Sequence, residues 1–288
     1  MPFVKISPPT GPLNVSYSIS TPESHKAKSI ICGLPTVLFL HPVYIPQQVF
    51  EAQFSDFGLR QFNLIAFDMR SHGETEGVIG DAPYNAVEDV YDFIHTLARG
   101  EKSVAYDKQL LDEAVLGMKQ LAFNNSMNPL TSAIVNSAIS QSLHHWAGTG
   151  ERTREGFHAA VMWPLERKIP SKEDFQKILC PIQIIYCLED VAYTLENAQH
   201  LQEQFGDAGL KVQLHQVHGP HYGCIGGAKE INPIVRQFVL SLYDNQPEVM
   251  NVSITAEFDG VRMKTPFDDL LERFDYHPSD HSENELGL

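Results

Sequence analysis

Apolar and polar positions change period several times along the chain, and those changes predict its elements. Phe3-Val-Lys-Ile6 and Asn14-Val-Ser-Tyr-Ser-Ile19 alternate or are β-branched and are separated by Pro-Pro-Thr-Gly-Pro, which predicts an antiparallel entry hairpin. The continuous apolar run Pro35–His41, broken by Pro42, predicts a buried central strand, and Phe62–Asp68 predicts a second one. Between them, Gln47–Phe57 is amphipathic and reads as a helix. Residues 84–97 carry apolar side chains at three- and four-residue spacing, the mark of a surface helix. This strand–helix–strand–helix alternation predicts an α/β protein with a mostly parallel sheet.

The alternation then stops. From Arg99 to about Ile178 the sequence is helix-like throughout, including Gln109–Phe123 and Pro129–Trp146, with no strand candidate. Strands resume at Pro181–Cys187 and Lys211–Val217, with a helix over Leu195–Phe205 between them and a closing helix over Ile231–Tyr243. Residues 244–288 carry about half of the net negative charge and show no clear period, so they read as a mobile or loosely attached tail, with one short helix over Val261–Phe274. Four regions follow: 1–98 and 179–243 as two parts of a core, 99–178 as a helical insertion, and 244–288 as the acidic tail.

Composition narrows the range of partners. A formal net charge of -15 over 288 residues opposes nucleic-acid binding, which needs a surplus of Lys and Arg. A neutral or small-molecule substrate or ligand fits better. The four cysteines are scattered without Cys-x-x-Cys pairs, suggesting neither a zinc site nor a disulfide framework, and they read as reduced thiols in a cytoplasmic protein. No cofactor is expected. No apolar run approaches the ~20 residues that a membrane span needs, and the first residues do not have the pattern of a signal peptide.

Two residues stand out as chemistry. Asp190 lies just past the Pro181–Cys187 strand, at the sheet edge where open α/β folds bind ligands, and it could orient an imidazole. It could equally cap the helix that starts near Thr194. His221, within Gly219-Pro-His-Tyr-Gly223, follows the next strand and would leave the same edge, where it could act as a general base. His215, His218 and His221 share a three-residue spacing, but alternation along a strand puts the first two on opposite faces, so no metal site is expected. The run ending in His41-Pro42-Val43-Tyr44 could supply backbone N–H groups to an oxyanion hole. Pro42 has no N–H, so Val43 or Tyr44 would have to donate; a plain strand-and-turn reading fits as well. Asp68-Met-Arg70-Ser-His-Gly73 reads as a structural loop.

The order strand–His41-Pro, strand–Asp68-x-Arg70-x-x-Gly73, helix, strand–Asp190, strand–His221 resembles the α/β-hydrolase superfamily over roughly residues 1–98 and 178–243. The resemblance implies that Asp190 and His221 are the acid and base of a Ser-His-Asp triad. It places His41, Val43 and Tyr44 at the oxyanion and substrate site, and makes the 99–178 helices a cap. The chain departs from the family pattern at Pro42 and Ser71, where Gly is usual. The large departure falls between Leu97 and Asp107. The family places a buried strand and a Gly-x-Ser-x-Gly elbow there, and this chain contains no such motif anywhere. Ser103 has no strand before it and no flanking glycines, and Gly73-Glu-Thr75-Glu-Gly77 falls in the wrong loop between two acids. The central elbow strand and its neighbour are therefore expected to be missing, which would bring the His41 strand against the Asp190 strand.

Three readings follow from the sequence. The lineage is that of an enzyme hydrolysing an ester-like small molecule, inactive in this chain because the elbow is lost, as after a skipped exon. Alternatively the protein is a non-catalytic pseudoenzyme that binds a small molecule or a protein partner. The third is a chain that does not fold stably.

Overall fold

The structure, a computed structural model, describes residues 1–43, 45–77, 119–146, 170–243 and 252–278. Tyr44, Ser103 and the 84–97 helix expected from the sequence lie outside them. Strands β1 (Phe3–Ile6) and β2 (Leu13–Ser20) form the expected antiparallel hairpin, with Phe3 opposite Ser16 and Ile6 opposite Leu13. β2 runs antiparallel to β4 (Asn63–Phe67), and β4 runs parallel to β3 (Thr36–Leu40). The order is β1-β2-β4-β3, with the two-residue β5 (Glu76–Gly77) also on β2. Strands β6 (Ile182–Cys187) and β7 (Val212–Val217) pair in parallel as a separate two-stranded sheet.

β4 is buried along its whole length, as its apolar run predicts. β3 is not the buried central strand expected. It is the edge of its sheet among the described strands, with Thr36 exposed and Leu40 48% exposed. β3 and β6 do not pair among the described residues either, which corrects the expectation that loss of the intervening strands would bring them together. β6, also an edge among the described strands, has the same signature: of the twelve residues in β6 and β7, only Cys187 and Val217 are buried. Parallel strands are ordinarily covered on both faces.

The two sheets are joined through helices. The expected 47–57 helix is a 3-10 turn, Gln47–Phe50, running into the single-turn α1 (Glu51–Phe54). α2 (Pro129–Trp146) enters the main core through Leu130, Ala133, Ile134 and Val135, beside Phe39, Phe54 and Phe62. α3 (Lys172–Phe175) lies just before β6, and α4 (Leu195–Asp207) crosses from β6 to β7. Past β7, the short α5 (Gly223–Gly226) sends Ile225 into the main core, and α6 (Ala228–Ser241) packs Ile231 on Cys187 and Val217. Gln53 Nε2 donates to Cys224 O (2.7 Å) and to Asn232 Oδ1 (2.8 Å), tying α1 to both.

The expectation of a loosely attached tail fails for residues 252–278. Met263, Phe267, Leu271 and Tyr276 are buried, the last three in the main core, and α7 (Asp268–Leu271) with the following 3-10 turn fills the short helix expected there. A buried ion pair holds the segment down. Arg262 Nη1 lies 2.5 Å from Glu51 Oε1 and its Nη2 lies 2.8 Å from Asp268 Oδ1, while the Thr265 hydroxyl donates to Glu51 Oε2 at 2.6 Å. Arg60 adds bonds to Lys264 O (2.7 Å) and Thr21 O (2.9 Å). The acidic composition concealed this docking because the charges that matter are internally matched.

Removing one partner of such a pair leaves a charge in the core, at a cost of several kcal/mol. Arg262→Met is expected to lower stability by about 3 kcal/mol in urea unfolding, and adding Glu51→Gln should recover part of the loss.

Candidate active site

The β6 and β7 ends are fastened to each other before they reach the site. Leu188 N–H donates to Val217 O (2.8 Å), Glu189 N–H to Gly219 O (3.1 Å), and Gly219 N–H to the Glu189 carboxylate. Gly219 sits at φ +125, a conformation that disfavours side chains. Gly223 has a different reason: a Cβ there would stand 2.3 Å from Cys187 Sγ. These close approaches bring Asp190 and His221 side by side.

His221 Nδ1 lies 2.8 Å from Asp190 Oδ2, with the carboxylate 9% and the imidazole 27% exposed. The other carboxylate oxygen, Oδ1, accepts the N–H groups of Ala192 (2.7 Å) and Tyr193 (2.9 Å). Asp190 therefore does not cap α4. That duty falls to Thr194, in a reciprocal capping box with Asn197. With Nδ1–H donated to the carboxylate, Nε2 of a neutral ring carries the lone pair. It has no hydrogen-bond partner among the described residues. Tyr193 and Tyr222 flank the ring at centroid distances of 5.4 and 5.3 Å. Such an imidazole can take up a proton from a group brought to Nε2.

Of the expected oxyanion residues, Val43 is held close to His221's chain neighbour, its carbonyl accepting the Tyr222 hydroxyl at 2.9 Å. Its own N–H has no acceptor among the described residues. His41 has a different role. It is buried, with Nδ1 2.8 Å from Pro42 O and Nε2 accepting the Met69 N–H at 2.9 Å, so both ring nitrogens are committed to fastening two loops. Burial pushes its pKa down to about 4, against the raising effect of the Pro42 bond. Neighbouring His72, whose ring lies 5.0 Å away, is lowered to about 3, by burial first and by His41 second.

The Asp68–Gly73 loop is structural, as read from the sequence. Asp68 is fully buried and accepts the N–H groups of Gln47 (2.9 Å) and Glu74 (3.1 Å). Burial raises its pKa to about 6 despite those bonds. Arg70 Nη2 reaches Thr10 Oγ1 (3.1 Å) and Gly11 O (2.8 Å) in the β1–β2 turn. Ser71, where the related pattern has Gly, adopts φ +62, so a glycine is the unstrained choice there.

Several contacts were not foreseen from the sequence: the Glu189–Gly219 staple, the two tyrosines around His221, and Asn124, whose Nδ2 donates to Glu189 O (2.6 Å). Tyr222 N–H also bonds Ala122 O (3.0 Å), so residues 122–124 brace the site from the 99–178 region. His215 and His218 are engaged elsewhere, by Gln183 (2.5 Å) and Glu230 (2.9 Å). No described hydroxyl or thiol lies on His221 Nε2. Burial raises Cys187 to about 11 and Cys224 to about 12, which keeps both as unreactive thiols.

No family profile and no curated protein sequence matches this chain. Solved structures do resemble it. An enol-lactonase from Burkholderia xenovorans LB400 is 12% identical, with a TM-score of 0.57 over 82% of this chain and 99% of that one. A serine hydrolase involved in carbazole degradation is 15% identical, with a TM-score of 0.56 over 83% and 99%. An N-acyl homoserine lactone degrading enzyme is 14% identical, with a TM-score of 0.53 over 81% and 99%. The chain has the α/β-hydrolase fold. No helix among the described residues is long and apolar enough to cross a membrane.

Two predictions follow from these loops. His41 and His72, ordinarily near 6.5, are depressed in the folded state, so unfolding takes up protons as the pH falls. Their contribution is full above about pH 6.5 and is lost on acidification toward 4 and 3, roughly 2 kcal/mol each by pH 5. Asp68, raised from 3.8 to about 6, acts in the opposite sense and offsets part of this. In urea unfolding at pH 7 and pH 5, His41→Gln should show a loss on acidification about 2 kcal/mol smaller than the parent. Ser71→Gly should raise stability by about 1 kcal/mol at neutral pH.

Proposed function

We propose that this protein descends from Ser-His-Asp hydrolases of ester-like small molecules and keeps their acid–base pair without their nucleophile. Asp190 holds the His221 tautomer, and His221 Nε2 is the base. The Val43 N–H is the remaining described candidate for the oxyanion site, with Tyr44 beside it in the chain. The observation that carries the reading is the 2.8 Å Asp190–His221 bond with Nε2 left open, at the paired ends of two parallel strands. Its complement is the absence of Gly-x-Ser-x-Gly from the whole sequence.

In a complete triad the imidazole takes the serine proton as its oxygen attacks the ester carbonyl, then returns it to the leaving alcohol. With no described serine at Nε2, no acyl-enzyme forms and the pair has no proton to relay. The protein is then a pseudoenzyme with respect to ester hydrolysis, in which residues 99–178 serve as the cap region.

The expected result is that p-nitrophenyl butyrate is hydrolysed no faster by the parent chain than by His221→Ala, with unchanged circular dichroism. A parent rate tenfold or more above that of His221→Ala would overturn the inactive reading.

A further inference from the structure

One cleft in the described structure lies away from His221. It has a volume of about 590 Å³, and none of its lining residues belongs to the Asp190–His221–Tyr222–Val43 cluster. One wall is β2, through Tyr17, Ser18 and Ile19. The opposite wall is the docked C-terminal segment, through Pro266, Leu270 and Arg273. This volume falls within the range of small-molecule sites.

Its charge is opposite to that of the chain. In a protein of net charge -15, Lys26, Lys28 and Arg273 line the cleft against Glu74 and Asp269. Lys26 and Asp269 neutralise each other at 2.6 Å, and that pair also straps the C-terminal segment across the cleft. Among the described residues Lys28 and Arg273 have no ion-pair partner. The rest of the lining is largely apolar, from Tyr17, Ile19, Ala27, Pro266 and Leu270. By strand alternation Tyr17 and Ile19 share one face of β2, so its apolar side rather than the buried Ser18 meets the body of a ligand.

We infer that this cleft binds an amphiphilic organic anion, an apolar body carrying a single carboxylate. Arg273 and Lys28 receive the carboxylate, since a guanidinium fork suits its two oxygens. The body lies along the Tyr17, Ile19 and Leu270 wall. The site is independent of the hydrolase reading, because it shares no residue with the His221 cluster. It depends instead on the docking of residues 262–273 by Glu51.

Dodecanoate, titrated calorimetrically into the full chain, is the probe. The expected result is saturable binding at one site per chain, weakened about tenfold by Arg273→Gln and by Lys28→Gln, and unchanged in His221→Ala. Both substituted side chains belong to exposed residues, so the variants keep the fold, which a matching melting temperature would verify. Dodecyltrimethylammonium, with the same body and the opposite charge, should bind at least tenfold more weakly. Absence of saturable binding, equal affinity for the cation, or indifference to both substitutions would overturn the assignment. Loss of binding in His221→Ala would also overturn it, by placing the ligand at the other site.

Discussion

A parallel strand needs neighbours, and that constraint shapes this molecule. β4 has strands on both sides and is buried throughout, whereas β3 and β6 each have one described partner and show it in their exposure. Unpaired edges and half-covered faces favour association with other chains unless something else fastens the elements. Here the fastening is done by helices and side chains. Ile225 enters the main core from the β7 side, Gln53 bonds both α5 and α6, and Tyr222 bonds both Val43 and Ala122. Among the described residues the two sheets thus share one body without sharing a ladder.

The same connections preserve the chemistry-bearing loops. Asp190 is fixed through both oxygens, one by two backbone N–H groups and the other by His221. The ring is placed by the Glu189–Gly219 staple and by the Cys187–Gly223 approach, neither of which involves a neighbouring elbow. A histidine–carboxylate pair held by its own two strands does not need a Gly-x-Ser-x-Gly elbow to keep its geometry. That independence explains how the pair is well formed in a chain lacking the motif it would serve.

Much of this was legible in the sequence, and the failures are specific. The hairpin, β4, β6, β7 and α4 follow from alternation and apolar runs, and the spacing of Asp190 and His221 announced their shared edge. β3 has the composition of a buried central strand, yet it is an edge among the described strands. Composition reports what a strand is suited to, whereas exposure depends on which partners it finds. The acidic, aperiodic composition of residues 244–288 suggests a loose tail, yet within it Arg262 meets Glu51 more than 200 residues away, a pairing that no local period reveals. The resemblance to α/β-hydrolases places His41 near the oxyanion site; its two ring hydrogen bonds, visible only in three dimensions, fasten the 41–43 and 68–69 loops instead.

In the proposed reading His221 is a positioned base with no described group to deprotonate. The most direct measurement is the intact mass of the full chain after incubation with a fluorophosphonate, which forms a covalent adduct with an activated serine. The account predicts an unmodified mass. A stoichiometric adduct on Ser103 or on any other serine, lost in His221→Ala, would contradict it.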